Sequence, residues 1–160
     1  MIRRREFGVA AFAAGAALWT ARANATHGWE AYDTARPLYL EGPVAVLHWF
    51  GPHPHLELLH RPGYAIPPDL PGRPIPRQQE AIDLGRVLRS AAVPVAPEGR
   101  WRIELAELHR LVRWGVERPM IGTRLGVIGY AGPPVTGTPT LRAELLFVGD
   151  KAYPMRSDPA

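Results

Sequence analysis

Five of the six histidines fall in one stretch of the chain: His27, His48, His53, His55 and His60. Imidazole is the commonest neutral metal ligand near physiological pH, and nitrogen donors favour copper or zinc among the divalent ions. The densest group is His53-Pro54-His55, directly after a Gly51-Pro52 turn signal. Residues two apart on a strand point to the same side, so His53, His55 and Glu57 share a face and supply two nitrogens and one oxygen. With His27 and Asp33 from the segment ahead of the first strand, the candidate metal set is His27, His53, His55, Asp33 and Glu57. The alternative is a rigid, solvated loop whose rings stack on Trp49 or cap backbone groups. No pair of cysteine knuckles is present to favour the metal.

Strand register limits this cluster. If Val44 and Val46 sit opposite Leu58 and Leu56, the apolar faces match. His48 then lies on the core side, and pairing it with His55 needs a one-residue slip that turns one apolar set outward. His48 therefore reads as a buried histidine with a hydrogen-bond partner. His109 sits on an apolar helical stripe and reads as structural, and His60 as a solvated residue at a loop start.

Trp29, Tyr32, Tyr39 and Trp49 gather in the N-terminal half. Aromatic faces with a few polar groups form ligand or partner grooves, and Trp29, Tyr32 and Trp49 are the candidates. The alternative for each is a place in or over the core. For covalent catalysis the inventory is poor. The chain has no cysteine, and beyond the leader its serines are Ser90 and Ser157, neither in a Gly-x-Ser-x-Gly elbow. Asp33, Glu57 and Glu104 are carboxylates that no spacing pairs. The sequence leans away from an enzyme.

The elements that must position these residues read as mainly β. Leu38 to Phe50 alternates as a first strand, with Gly42-Pro43 marking a bulge or an edge. Pro54 to His60 is the returning strand, Leu56 and Leu58 inward. From about 61 to 99 prolines preclude regular structure except for a helix over about Gln78 to Ser90, giving an insertion that lies over the barrel. Trp101 to Leu105 is the third strand. Leu105, Leu108, His109 and Val112 then follow helical spacing, ended by Gly115. Leu125 to Tyr130 is the fourth strand. The fifth, Thr140 to Val148, has Leu141, Ala143, Leu145 and Phe147 on one face, and Lys151 to Met155 closes the chain. Five strands with a helix between the third and fourth is the order of a small OB-like β-barrel.

Residues 1–25 read as a twin-arginine signal peptide. Arg3-Arg4-Arg5 precede an apolar run from Gly8 to Leu18, Arg4-Arg5-Glu6-Phe7 fits the twin-arginine pattern, and Ala23-Asn24-Ala25 is a small-x-small cleavage site. The run is short of the roughly 20 residues that span a bilayer. The expectation is a single domain over 26–160, periplasmic or secreted, with no stable membrane anchor after cleavage. The whole chain has 19 Lys+Arg against 15 Asp+Glu, a net charge of +4. The leader takes four arginines and one glutamate, which leaves a net of about +1. So neutral a domain offers no electrostatic case for nucleic acid.

The chain resembles a family of short exported bacterial proteins of unknown function. Their marks are a His-rich start leading to Tyr-Asp, a first strand with Gly-x-Val, and a Trp-x-Asn-Pro-His turn. The matching residues are His27-Gly28-Trp29 with Tyr32-Asp33, Gly42-Pro43-Val44, and Trp49-Phe50-Gly51-Pro52-His53. Trp101, Glu104, Gly129, Arg142 and Lys151 to Arg156 are similar to the family's second half. The resemblance spans roughly 26 to 156, broken by the insertion. It implies an exported β-barrel-like domain and singles out His27 and His53. Two departures are Thr26 in place of the first histidine of a pair and Gly51 in place of the turn asparagine. The functional expectation is a periplasmic binding protein holding copper or zinc through its histidines. The alternative is a metal-free module without catalytic activity, binding a periplasmic protein or a small ligand.

Overall fold

A computed structural model describes residues 28–160; the expected leader over 1–25 and His27 lie outside the described residues. Six strands form one sheet: β1 Pro37–His48, β2 His55–His60, β3 Gly99–Glu104, β4 Arg124–Val135, β5 Thr138–Val148 and β6 Lys151–Pro154. Two helices accompany them, α1 Leu84–Ser90 and α2 Leu108–Arg113. The sheet runs β3-β2-β1-β4-β5-β6 and closes through a parallel pairing of Arg102–Glu104 with Thr140–Arg142. The result is a closed five-stranded barrel with α2 between the third and fourth strands, the OB-like order. β6 pairs with Leu145–Val148, the stretch of β5 that β3 leaves free.

Alternation puts one side chain in two inside a barrel this small, and close-packed side chains fill the interior. Leu40, Val44, Leu56, Leu58, Ile103, Leu125, Val127, Leu141 and Leu146 make that core. α2 supplies Leu111, fully buried. A second core lies on the outside of β1, β4, β5 and β6, where Tyr39, Ile128, Leu145 and Phe147 meet Leu70, Val87 and Leu88 of the insertion. The insertion is also stitched to β1 by backbone bonds, with the Tyr39 N–H donating to the Ala92 carbonyl at 2.9 Å and the Ala92 N–H to the Pro37 carbonyl at 3.1 Å. This explains why β4 and β5 read as nearly continuous apolar runs: both of their faces are covered.

Several local expectations are corrected. The bulge of β1 falls between Val44 and Val46, one step past Gly42-Pro43. In β5 the pairing jumps from Ile128↔Leu145 to Gly129↔Ala143, so Glu144 is an extra residue. Leu141 and Ala143 therefore face the barrel core while Leu145 and Phe147 face the second one. α1 begins at Leu84, capped by the Asp83 side chain, because 77–80 instead bonds to the C-terminal segment. In α2 the apolar stripe is not the buried one, since Val112 is 71% exposed and His109 pairs with Glu107 in solvent. His60 is wholly buried, its Nδ1 3.0 Å from the Tyr64 hydroxyl and its Nε2 3.3 Å from the Ala96 carbonyl. It is the strand's last inward position, held under the insertion.

At Gly129 the strands come too close for any side chain. A Cβ there would sit 2.1 Å from the Arg142 carbonyl oxygen and 2.8 Å from its carbon. Backbone cannot yield as a flexible side chain does, so Gly129→Ala is expected to cost about 3 kcal/mol in urea unfolding. Gly99→Ala, with nothing within 4 Å, is expected to stay within about 0.5 kcal/mol of the parent.

Candidate functional site

Five residues lie abreast across five strands of the barrel. Register pairs His48 with His55, His55 with Glu104, Glu104 with Arg142, and Arg142 with Tyr130. Their sequence neighbours Leu56, Ile103, Leu141 and Ala143 fill the interior, so alternation turns the row outward. Strands are roughly 4.8 Å apart, so the row is about 19 Å long.

The segment 28–36 lies over one end of this row. Tyr32 donates its hydroxyl hydrogen bond to Glu104. Its ring packs so close to Gly132 that a Cβ there would lie 2.5 Å from a ring carbon, which explains the glycine. Burial, and then the Glu104 carboxylate, push the Tyr32 hydroxyl up to about 12. Trp29 meets Tyr32 and Tyr130 edge-on, with ring centres 6.3 and 6.0 Å apart. Two guanidinium groups face the Trp29 ring, Arg142 at 4.5 Å and Arg156 at 3.8 Å. Arg142 also donates to the Gly28 carbonyl at 3.1 Å. Stacking on an aromatic face and forking onto a carboxylate are both arginine chemistry that lysine performs poorly.

Arg156 is held from below. Its Nε lies 3.2 and 3.0 Å from the two oxygens of Glu144, whose side chain has 0% exposure. Glu144 is the extra residue of the β5 bulge, and bulges re-aim side chains in this way. The Glu144 carbonyl in turn accepts the Met155 N–H at 2.9 Å, fixing the chain that carries Arg156. Burial, and then the Glu144 charge, raise the Tyr130 hydroxyl above its ordinary range. Above Arg156 opens a cleft of about 510 Å³ between the N-terminal segment, the start of α1 and β4. Trp29, Glu30, Ile82, Arg86, Tyr130 and Arg156 line it.

At the other end of the row, His48 and His55 stack with ring centres 4.4 Å apart and planes 23° from parallel. This corrects the expectation that His48 is buried and unable to meet His55. The β1 bulge makes the one-residue slip, and the apolar set stays inward because the slip is local: Val44 still faces Leu58, whereas Leu47 faces Leu56. His55 is held below its ordinary value by burial, then by Arg102, then by His48.

Of the other predicted site residues, Glu57 shares the outward face of β2 with His55, since Leu56 and Leu58 point into the core. His53 is exposed on the turn, Glu57 pairs with Arg100, and Asp33 pairs with Arg36. Among the described residues no three histidine, aspartate or glutamate side chains form a group that could hold a metal ion. Of the groove trio, Trp29 and Tyr32 come together, while Trp49 packs partly buried against the barrel core. Sequence reasoning missed Tyr130, Arg142, Glu144, Arg156 and Arg86. The signals available were the acid Glu144 inside an otherwise apolar strand pattern, and the place of Arg142 and Arg156 among the residues that carry the family resemblance.

Removing Arg156 leaves a buried carboxylate without its partner. Arg156→Met is expected to lower the unfolding free energy by about 3 kcal/mol, with Glu144→Gln costing less, as read by chemical denaturation. For His55 the folded state binds a proton less readily than the unfolded chain, whose value is 6.5. Its contribution is complete above that value and lost as pH falls through the folded one. Stability should therefore fall as the pH is lowered through and below 6.5, and fall less in His55→Gln; equal slopes in both would refute the assignment.

No family model, curated protein or solved structure matches this chain, so the reading of the site rests on its own geometry.

Proposed function

We propose that the domain is an exported binding protein whose cleft takes a small organic carboxylate with an apolar or aromatic body. The leader pattern at 1–25 supports the export. The observation that carries the binding reading is the composition of the cleft. At about 510 Å³ it has the size of a small-molecule pocket, with Trp29, Tyr130, Ile82 and Val87 as apolar walls. Two arginines line the same space. Arg156 is already satisfied by Glu144 and braces Trp29, whereas Arg86 forms no ion pair with the described residues. A guanidinium so placed is suited to a bidentate carboxylate. Glu30 and Asp83 at the cleft penalise a ligand of high negative charge, so a monocarboxylate fits better than a phosphate or polyanion.

The probes are benzoate, indole-3-acetate and hexanoate, titrated into isotopically labelled protein with detection by NMR. The Trp29 indole N–H and the Arg86 Nε–H signals are expected to move with one saturating curve. The Trp114 indole, bonded to the Ser157 carbonyl at 2.9 Å, is expected to stay. Arg86→Gln should weaken binding by about tenfold, the loss of one charge-assisted hydrogen-bond pair. Silence at Trp29 with all three probes would reject the reading.

A further inference from the structure

The stacked imidazoles at the far end of the row lie outside the cleft, and the cleft gives them no task. We propose that His48 and His55 together form a binding site for a divalent copper ion, with solvent completing its coordination. His48 and His55 are direct register partners on antiparallel β1 and β2, which puts their Cβ atoms about 5 Å apart. The two rings stack with centres 4.4 Å apart and planes 23° from parallel, so the imidazoles are already in contact. Binding one ion between them requires the stack to open by χ rotation of the two half-exposed side chains, until one nitrogen of each stands roughly 2 Å from the ion.

His55 is also held as a ligand histidine is usually held. The His53 backbone lies beside the His55 ring, where a carbonyl can hold one ring nitrogen and leave the other to a metal. The Pro54 carbonyl beside it accepts the Leu105 N–H at 3.2 Å and the Pro52 carbonyl accepts the Leu108 N–H at 3.3 Å, so the turn is tied to the barrel. Glu104, in register with His55 on the other side, supplies a negative charge next to the pair. Arg102 faces His55 and opposes a cation. Copper is the ion this donor set suits. Two imidazoles with water meet its tetragonal preference and its place at the top of the divalent affinity order, whereas a structural zinc site needs four closed protein ligands.

The test titrates the full chain with Cu²⁺, read by calorimetry and by electron paramagnetic resonance. The full chain keeps the amino terminus away from His27, where a processed chain would create a separate copper chelate. One equivalent should bind with the spectral signature of two nitrogen donors. His48→Ala and His55→Ala should each weaken it by at least about tenfold, while His27→Ala and His53→Ala leave it unchanged. Arg102→Gln removes the opposing charge without touching a ligand and should tighten binding severalfold, which keeps the test decisive if a histidine variant folds poorly. Copper affinity that is indifferent to His48, or that follows His27 or His53, or that falls in Arg102→Gln, would overturn the proposal.

Discussion

One extra residue in β5 organises much of this molecule. Had β5 alternated without interruption, Leu145 and Phe147 would share the barrel interior with Leu141 and Ala143, and Leu146 would face out. Glu144 breaks the alternation. After it, Leu146 continues the inner core while Leu145 and Phe147 turn outward and give the insertion something apolar to cover. Burying several such side chains is worth on the order of 1.5–3 kcal/mol each. That gain is what lets a segment rich in proline, with little hydrogen-bonded structure of its own, stay ordered against the sheet.

The same residue carries a charge with 0% exposure, which is costly unless the charge is fully partnered. The fork from Arg156 meets that demand, and the demand fixes where Arg156 must stand. Trp29 then rests on the guanidinium, and Tyr32 and Tyr130 rest against Trp29. The cleft wall is thus a chain of consequences, from bulge to buried acid to arginine to aromatic ring. Each member is held by the next, so this wall would lose little further side-chain freedom on binding, whereas the exposed Arg86 would still have to be ordered.

The barrel was legible in the sequence because its order of elements and its inward leucines are set by local pattern. Leu56 and Leu58 alternate cleanly, turn signals separate the strands, and a helical segment falls between the third and fourth. The site was less legible because two bulges decide it, and a bulge is a property of a strand pair. Nothing within 44–48 announces that Ala45 will be skipped in pairing, so a strict register kept His48 from His55. Likewise Leu141, Ala143, Leu145 and Phe147 alternate so well that the sequence argues against the break at Glu144. His60 failed for a related reason: its burial comes from Tyr64 and Ala96 in the insertion, whose path over the sheet no period reveals. Trp29 and Tyr32 were found because aromatic faces gathered with a few polar groups suit a groove, and the two do come together over the outward face of the barrel.

The two ends of the outward row are chemically separate even though they share a sheet. From His55 to Tyr130 is three strand spacings, about 14 Å, which exceeds the screening length of about 8 Å at physiological ionic strength. Between them stand Glu104 and Arg142, opposite charges in adjacent register positions that leave little net field along the row. Glu104 is further committed to Tyr32 and Arg142 to Gly28 and the Trp29 ring, so neither is available to relay a rearrangement without breaking the seat of the N-terminal segment. Energetic coupling needs an element with two arrangements that both sites bias. Here the intervening groups are tied to the N-terminal segment and flanked by strands of a closed barrel. The imidazole pair and the aromatic cleft should therefore act as independent sites, and a ligand at one leaves the affinity of the other where it was.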